Sequence, residues 1–115
     1  MCAFERSEKG MEFFMKTAFL FPGQGAQTVG MVKDIYEKYP EAKEIFDKAE
    51  EISGINVKEI CFKGPEEELM KTENTQIAIL TTSLAFLKIL EKNEITADIA
   101  VGLSLGEYAA LIYKF

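Results

Sequence analysis

Two short apolar runs, Ala18-Phe19-Leu20-Phe21 and Ile99-Ala100-Val101, each end in a glycine-bearing turn that leads into a helical pattern. Apolar runs of strand length without polar alternation suit strands buried on both faces of a parallel sheet. Parallel neighbours need a crossover, and the stretch between these runs is rich in helical periodicity. That combination predicts an α/β fold with a partial parallel sheet and flanking helices.

The helical patterns are readable one by one. The first helix is expected to be capped near Thr28, with Val32, Ile35, Tyr36 and Tyr39 on one face, and to break at Pro40. A second carries Ala42, Ile45, Phe46, Ala49 and Ile52 and stops at Gly54. A short turn of helix starts at Pro65, a residue suited to the first helical position. Thr75 to Leu90 is the most hydrophobic helix: Ile77, Leu80, Leu84, Leu87 and Leu90 form a stripe that Ile79, Phe86 and Ile89 broaden. A helix apolar on most sides is expected to be buried between other elements. Glu107 to Tyr113 opens a last helix.

Composition narrows the chemistry. With 48% hydrophobic and 28% charged residues, the 115-residue chain has the make-up of an ordinary soluble globular domain. Thirteen Lys+Arg against nineteen Asp+Glu leave a net charge of −6, which argues against a nucleic-acid partner, since phosphates call for a basic patch. No apolar run is long enough for a membrane span. The chain contains no histidine, so it supplies no imidazole base and lacks the usual nitrogen ligand for zinc. Cys2 and Cys61 have no CxxC spacing, no metal site is expected, and Cys61 reads as a packing residue. Two lone thiols without a secretory signal point to the reducing cytoplasm. Residues 1–14 show no periodic pattern and read as an irregular leader before a domain over 15–115. Either translation begins at Met15 or the leader is a disordered extension.

Each glycine turn invites a specific chemistry. Pro22-Gly23-Gln24-Gly25-Ala26-Gln27-Thr28-Val29-Gly30 fails as a dinucleotide fingerprint, which needs glycine where Thr28 stands. It fails as a phosphate loop as well, because Met31 stands where lysine is required. What remains is a tight strand-to-helix turn exposing backbone N–H groups and the Gln24 amide. The second turn, Gly102-Leu103-Ser104-Leu105-Gly106, is a GxSxG elbow between strand and helix. Such a bend lifts the Ser104 hydroxyl above the sheet edge, and the glycines relieve crowding. The N–H of the following residue, Leu105, then lies at the positive end of the new helix, where a developing oxyanion can be held.

Taken together, Phe21-Pro22-Gly23-Gln24-Gly25-Ala26-Gln27 and Gly102-Leu103-Ser104-Leu105-Gly106-Glu107-Tyr108 resemble the bacterial malonyl-CoA:acyl carrier protein transacylase family. Gly64-Pro65-Glu66-Glu67-Glu68-Leu69, then Thr72 and Asn74-Thr75-Gln76, lie between them as in that family. The resemblance runs from about Lys16 to Ile112 and covers less than half of a full-length member. It implies an α/β-hydrolase-like acyltransferase domain and a two-step transfer without a cofactor. Ser104 would take malonyl from malonyl-CoA, and the phosphopantetheine thiol of acyl carrier protein would then take it from the serine. The backbone N–H groups of Gln24 and Leu105 would form the oxyanion hole, and Gln76 would line the pocket or serve only as a polar residue of the helix N-terminus.

The departures from the family pattern are equally specific. Leu103 stands where the family usually has histidine before the nucleophile. The base histidine and the arginine that pairs with the malonyl carboxylate fall later in the family than Phe115, and the only arginine here is Arg6. The expectation is therefore a truncated form that is inactive alone, with a complementing C-terminal fragment as one partner. A sheet lacking strands would also expose edges that favour aggregation. Two alternatives stay open: a non-catalytic binding remnant and a small serine esterase. Specificity for methylmalonyl or acetyl groups is equally compatible with the two turns.

Overall fold

The computed structural model describes residues 3–8 and 15–114. The chain order is β1 (Ala3–Glu8), β2 (Met15–Phe21), α1 (Lys33–Lys38), α2 (Pro40–Ser53), α3 (Val57–Lys63), α4 (Glu66–Leu69), α5 (Thr72–Lys92), β3 (Ile99–Gly102) and α6 (Gly106–Lys114). The sheet runs β1-β2-β3. β2 pairs with β3 in parallel, Ala18 opposite Ile99 and Phe21 opposite Gly102. β1 lies antiparallel on the other edge of β2. The α/β expectation and its parallel pair are therefore present.

Residues 3–8 of the leader, which carry no pattern of their own, form β1 because a ladder recruits backbone groups whatever the side chains. The rest of the leader, Cys2 and the question of a start at Met15 lie outside the described residues.

Parallel pairing sets the two sheet faces. Phe19 and Phe21 share one face with Ala100, sealed by Leu80, Leu84 and Leu87 of α5 and by Ala109, Ala110 and Tyr113 of α6. The Tyr113 ring lies 5.0 Å from that of Phe19. Its hydroxyl accepts a hydrogen bond from the Ala97 N–H at 2.6 Å, tying α6 to the approach of β3. The opposite face carries Leu20, Ile99 and Val101, which are 36%, 54% and 50% exposed. This corrects the expectation of strands buried on both faces: among the described residues, helices cover only one.

A second core lies among the helices. Phe46, Ala42, Val57, Cys61, Leu69, Ala78 and Ala85 are buried together. Tyr36, Phe46 and Phe62 close it as an aromatic triad with centroid separations of 5.3 to 5.8 Å. Burial pushes the Cys61 thiol up to about 12, with the Glu50 carboxylate adding to the shift, so it packs here as a neutral hydrophobe.

Several helix boundaries differ from the sequence reading. α1 starts at Lys33, not near Thr28, because Gly30 and Val32 adopt left-handed backbone with φ of 89° and 58°. The Gly30 N–H is diverted to the Cys61 carbonyl at 2.7 Å. Tyr39 is extended before Pro40, which opens α2 rather than lying in a helix interior. Ile52, placed on the apolar face of α2, is 82% exposed near its C-terminal end at Gly54. α5 extends beyond Thr75–Leu90 at both ends. α3 carries no sequence expectation; its first turn is held by Glu50 of α2, whose carboxylate accepts the Lys58 N–H at 2.9 Å. No helix among the described residues is long and apolar enough to cross a membrane.

Candidate active site

The carboxyl ends of β2 and β3 lie side by side, so the two glycine turns that leave them become neighbours. The Leu103 N–H donates to the Phe21 carbonyl at 3.0 Å, extending the pairing into the turn. Glycine is a steric requirement at this junction. A Cβ on Gly23 would stand 2.5 Å from the Leu103 carbonyl oxygen and 3.6 Å from the Leu105 nitrogen. One on Gly106 would overlap the Phe21 carbonyl, and one on Gly102 the backbone of Gly106 and Glu107. The two turns therefore pack backbone against backbone.

Ser104 sits at the tip of the second turn with φ of 52°, a left-handed conformation that a non-glycine residue adopts at a cost of order 1–3 kcal/mol. The turn is closed by the Gly106 N–H donating to the Leu103 carbonyl at 2.9 Å and the Glu107 N–H to the Ser104 carbonyl at 3.0 Å. Ser104 is exposed, and its hydroxyl has no hydrogen-bond partner among the described residues. The N–H groups of Gln24, Ser104 and Leu105 are likewise unpartnered within that set. Strained serine backbone and free amides beside a helix start are the ingredients of an oxyanion-stabilising nucleophile turn.

The first turn is pinned from within. The Ala26 N–H donates to the Gly23 carbonyl at 3.3 Å, and the Gly25 N–H donates to Gln27 Oε1 at 2.8 Å. Gln24 projects at the surface.

A cleft of about 420 Å³ adjoins the serine turn, lined by Glu73, Gln76, Ile77 and Leu80 of α5 with Leu105 and Tyr108. Gln76 thus shares a cavity with Leu105. Its neighbours in sequence do structural work: Asn74 Nδ2 donates to the Glu68 carbonyl at 2.8 Å, and the buried Thr75 hydroxyl donates to the Leu69 carbonyl. Sequence reasoning missed Glu73, Ile77, Leu80 and Tyr108 as cleft residues. The signal was available for α5, where positions 73, 76, 77 and 80 follow the i, i+3, i+4, i+7 spacing of one helical face. Among the described residues no group of three His, Cys, Asp or Glu side chains is placed to hold a metal.

Comparison with known proteins gives this geometry a context. Residues 18–114 match the sequence model of the acyl transferase domain. The malonyl CoA-acyl carrier protein transacylase of Bacillus subtilis is 50% identical over 97 residues, covering 84% of this chain and 31% of the Bacillus protein. A crystal structure of the corresponding protein from Clostridium perfringens matches with a TM-score of 0.79 and 51% identity, over 84% of this chain and 30% of that one. A solved complex of a type II polyketide synthase acyl-carrier protein with its malonyl-transacylase matches at a TM-score of 0.78 and 37% identity, over 82% of this chain and 31% of that one. The chain spans less than a third of the length of these relatives. With both strand-end turns inside the matched region, the chain belongs to the acyl transferase domain family.

Proposed function

We propose that the chain carries the nucleophile half of a malonyl-transfer site used in fatty acid biosynthesis, moving malonyl from malonyl-CoA to acyl carrier protein. The observation that carries this reading is the strained, solvent-facing Ser104, flanked by the free Leu105 N–H and abutted by the Gly23-Gln24 turn. In the first step the Ser104 hydroxyl oxygen attacks the malonyl thioester carbon. The carbonyl oxygen takes up the negative charge between the Gln24 and Leu105 N–H groups, the serine proton passes to solvent or to a base from outside these residues, and the coenzyme A thiolate leaves as the ester forms. In the second step the phosphopantetheine thiol of the carrier protein attacks that ester, and the serine recovers its proton. Gln76, in the cleft shared with Leu105, contacts the acyl or pantetheine portion. The named activities of the Bacillus and Clostridium relatives support the substrate, and the solved carrier-protein complex supports the partner. A cytoplasmic setting suits the buried free thiol of Cys61.

The chain has no histidine to take the serine proton. A serine site stripped of triad members retains only about 10³–10⁴-fold catalysis over water. We therefore expect residues 1–115 by themselves to form the malonyl ester slowly and to turn over negligibly, with the base and a cation for the malonyl carboxylate supplied from outside these residues. Prolonged incubation with malonyl-CoA followed by intact-mass and peptide mapping tests this. A single malonyl group on Ser104, absent from Ser104→Ala, is expected. An adduct that persists in Ser104→Ala, or none at all, overturns the assignment of the nucleophile. Rapid multiple turnover of residues 1–115 with carrier protein overturns the need for groups outside them.

A further inference from the structure

We propose that Gln27 is a positioning residue that fixes the direction of the Gln24 N–H by holding the Gly25 amide. This inference rests on the oxyanion role proposed above for the Gln24 turn.

Gln27 is 8% exposed, unusual for a glutamine three residues beyond a surface turn. Its side chain folds back so that Oε1 accepts the Gly25 N–H at 2.8 Å, while Nε2 donates to the Met70 sulfur at 3.2 Å. Both ends of the amide are used, one on the turn and one on the residue that caps α4. The turn needs such a brace. Gly25 has φ of 113° and no Cβ to restrict its backbone, so its own conformational preference does not hold the turn in place. The Gln24 N–H lies in the plane of the Gly23–Gln24 peptide, and that plane keeps its direction only while the turn is held on both sides of Gln24. The plane before it is set by the Gly23 carbonyl, which accepts from Ala26 through a long 3.3 Å bond. The plane after it is set by the Gly25 N–H, and its partner is the Gln27 side chain. Because a trans peptide carries its C=O and N–H on opposite sides, holding the Gly25 N–H toward Gln27 keeps the Gln24 carbonyl turned away. Without that bond the Gln24–Gly25 unit is no longer held, the turn loses its anchor on the far side of Gln24, and the Gln24 N–H is left to the long Gly23–Ala26 bond alone. The Met70 contact ties this brace to the α4–α5 junction, which leads directly into the cleft-lining face of α5.

The test uses the full chain and a fluorophosphonate, whose phosphoryl oxygen occupies the oxyanion position whatever acyl group the site prefers. The Ser104 oxygen–phosphorus bond forms, the phosphorus–fluorine bond breaks, fluoride leaves and the serine proton passes to solvent. Gln27→Met keeps the length and apolar contacts but has no amide oxygen to accept the Gly25 N–H, whereas Gln27→Glu keeps that acceptor. We expect Gln27→Met to slow Ser104 labelling by about tenfold or more and to speed hydrogen exchange at the Gly25 amide, with Gln27→Glu restoring both toward wild type. Thermal melts of the variants identify any general loss of folding, and rescue by Gln27→Glu is the result a purely packing role would not give. Unchanged labelling in a folded Gln27→Met, or a Gln27→Glu as slow as Gln27→Met, overturns the proposal. If wild-type Ser104 labels no faster than background, the nucleophile assignment is what fails. The brace is then judged on the amides alone, and rapid exchange of Gly25 in the wild-type chain overturns it.

Discussion

The helical core and the sheet core of this chain solve the burial problem differently. Among the helices, Phe46 and Cys61 are wholly enclosed, and the Tyr36–Phe46–Phe62 triad closes the cluster without help from the sheet. In the sheet, Phe19 and Phe21 are enclosed just as fully, yet Leu20 between them and Val101 opposite it face outward. An amphipathic helix has one stripe to hide and finishes its packing with one layer of neighbours. A strand in a parallel pair has two faces, each apolar here, and α5 and α6 cover only the first. The turn that carries Ser104 is mounted on the half with less packing behind it.

That contrast can be broken at its stiffest point. Gly106→Val drives a branched side chain into the Phe21 carbonyl, where the clash is with backbone and no rotamer relieves it. We expect a loss of more than about 4 kcal/mol, with hydrogen-exchange protection vanishing from β2, β3 and α6 before α2 and the α3-facing part of α5. Equal loss of protection in both halves would show that the two cores melt as one unit. The reciprocal change, Phe46→Ala, removes the centre of the helical cluster and should cost about 3–5 kcal/mol in a denaturant titration. A cost below about 1 kcal/mol would mean that the cluster relaxes and is no true counterpart to the sheet. The smallest effect is expected inside α5, where the buried Ser83 hydroxyl lacks a partner among the described residues. Ser83→Ala should be neutral or stabilising by about 1 kcal/mol, since it removes an unsatisfied group. A clear destabilisation would reveal a hydrogen bond that the geometry does not show.

The same contrast explains what was legible in the sequence. Gly23, Gly102 and Gly106 are demanded by single backbone contacts, so the motif and the structural need coincide residue by residue. The strand-to-helix turn that carries Ser104 was legible for that reason, as was α5, whose length and apolar density leave few alternatives. α3 was not, because its first turn is held by the Glu50 carboxylate from another helix and no local signal announces that bond. α1 was overextended because a left-handed Val32 is a tertiary outcome that intrinsic preference opposes. Ile99 and Val101 have the composition of buried residues, and composition does not say whether a covering layer is present. In the candidate site, the exposed turn was readable from its motif, whereas the bond from the Gly25 N–H to Gln27 depends on a fold-back that spacing alone does not encode.

Under the function proposed above, the interlock of Gly23 against the Leu103 carbonyl couples the reactivity of Ser104 to strand alignment. A chain whose β2 and β3 have not docked, or have docked one residue out of step, brings no second amide beside the serine and offers only an ordinary alcohol. Acylation at this position would then act as a timestamp on maturation, marking the moment when both strands have found their places and sparing unfinished molecules from premature chemistry.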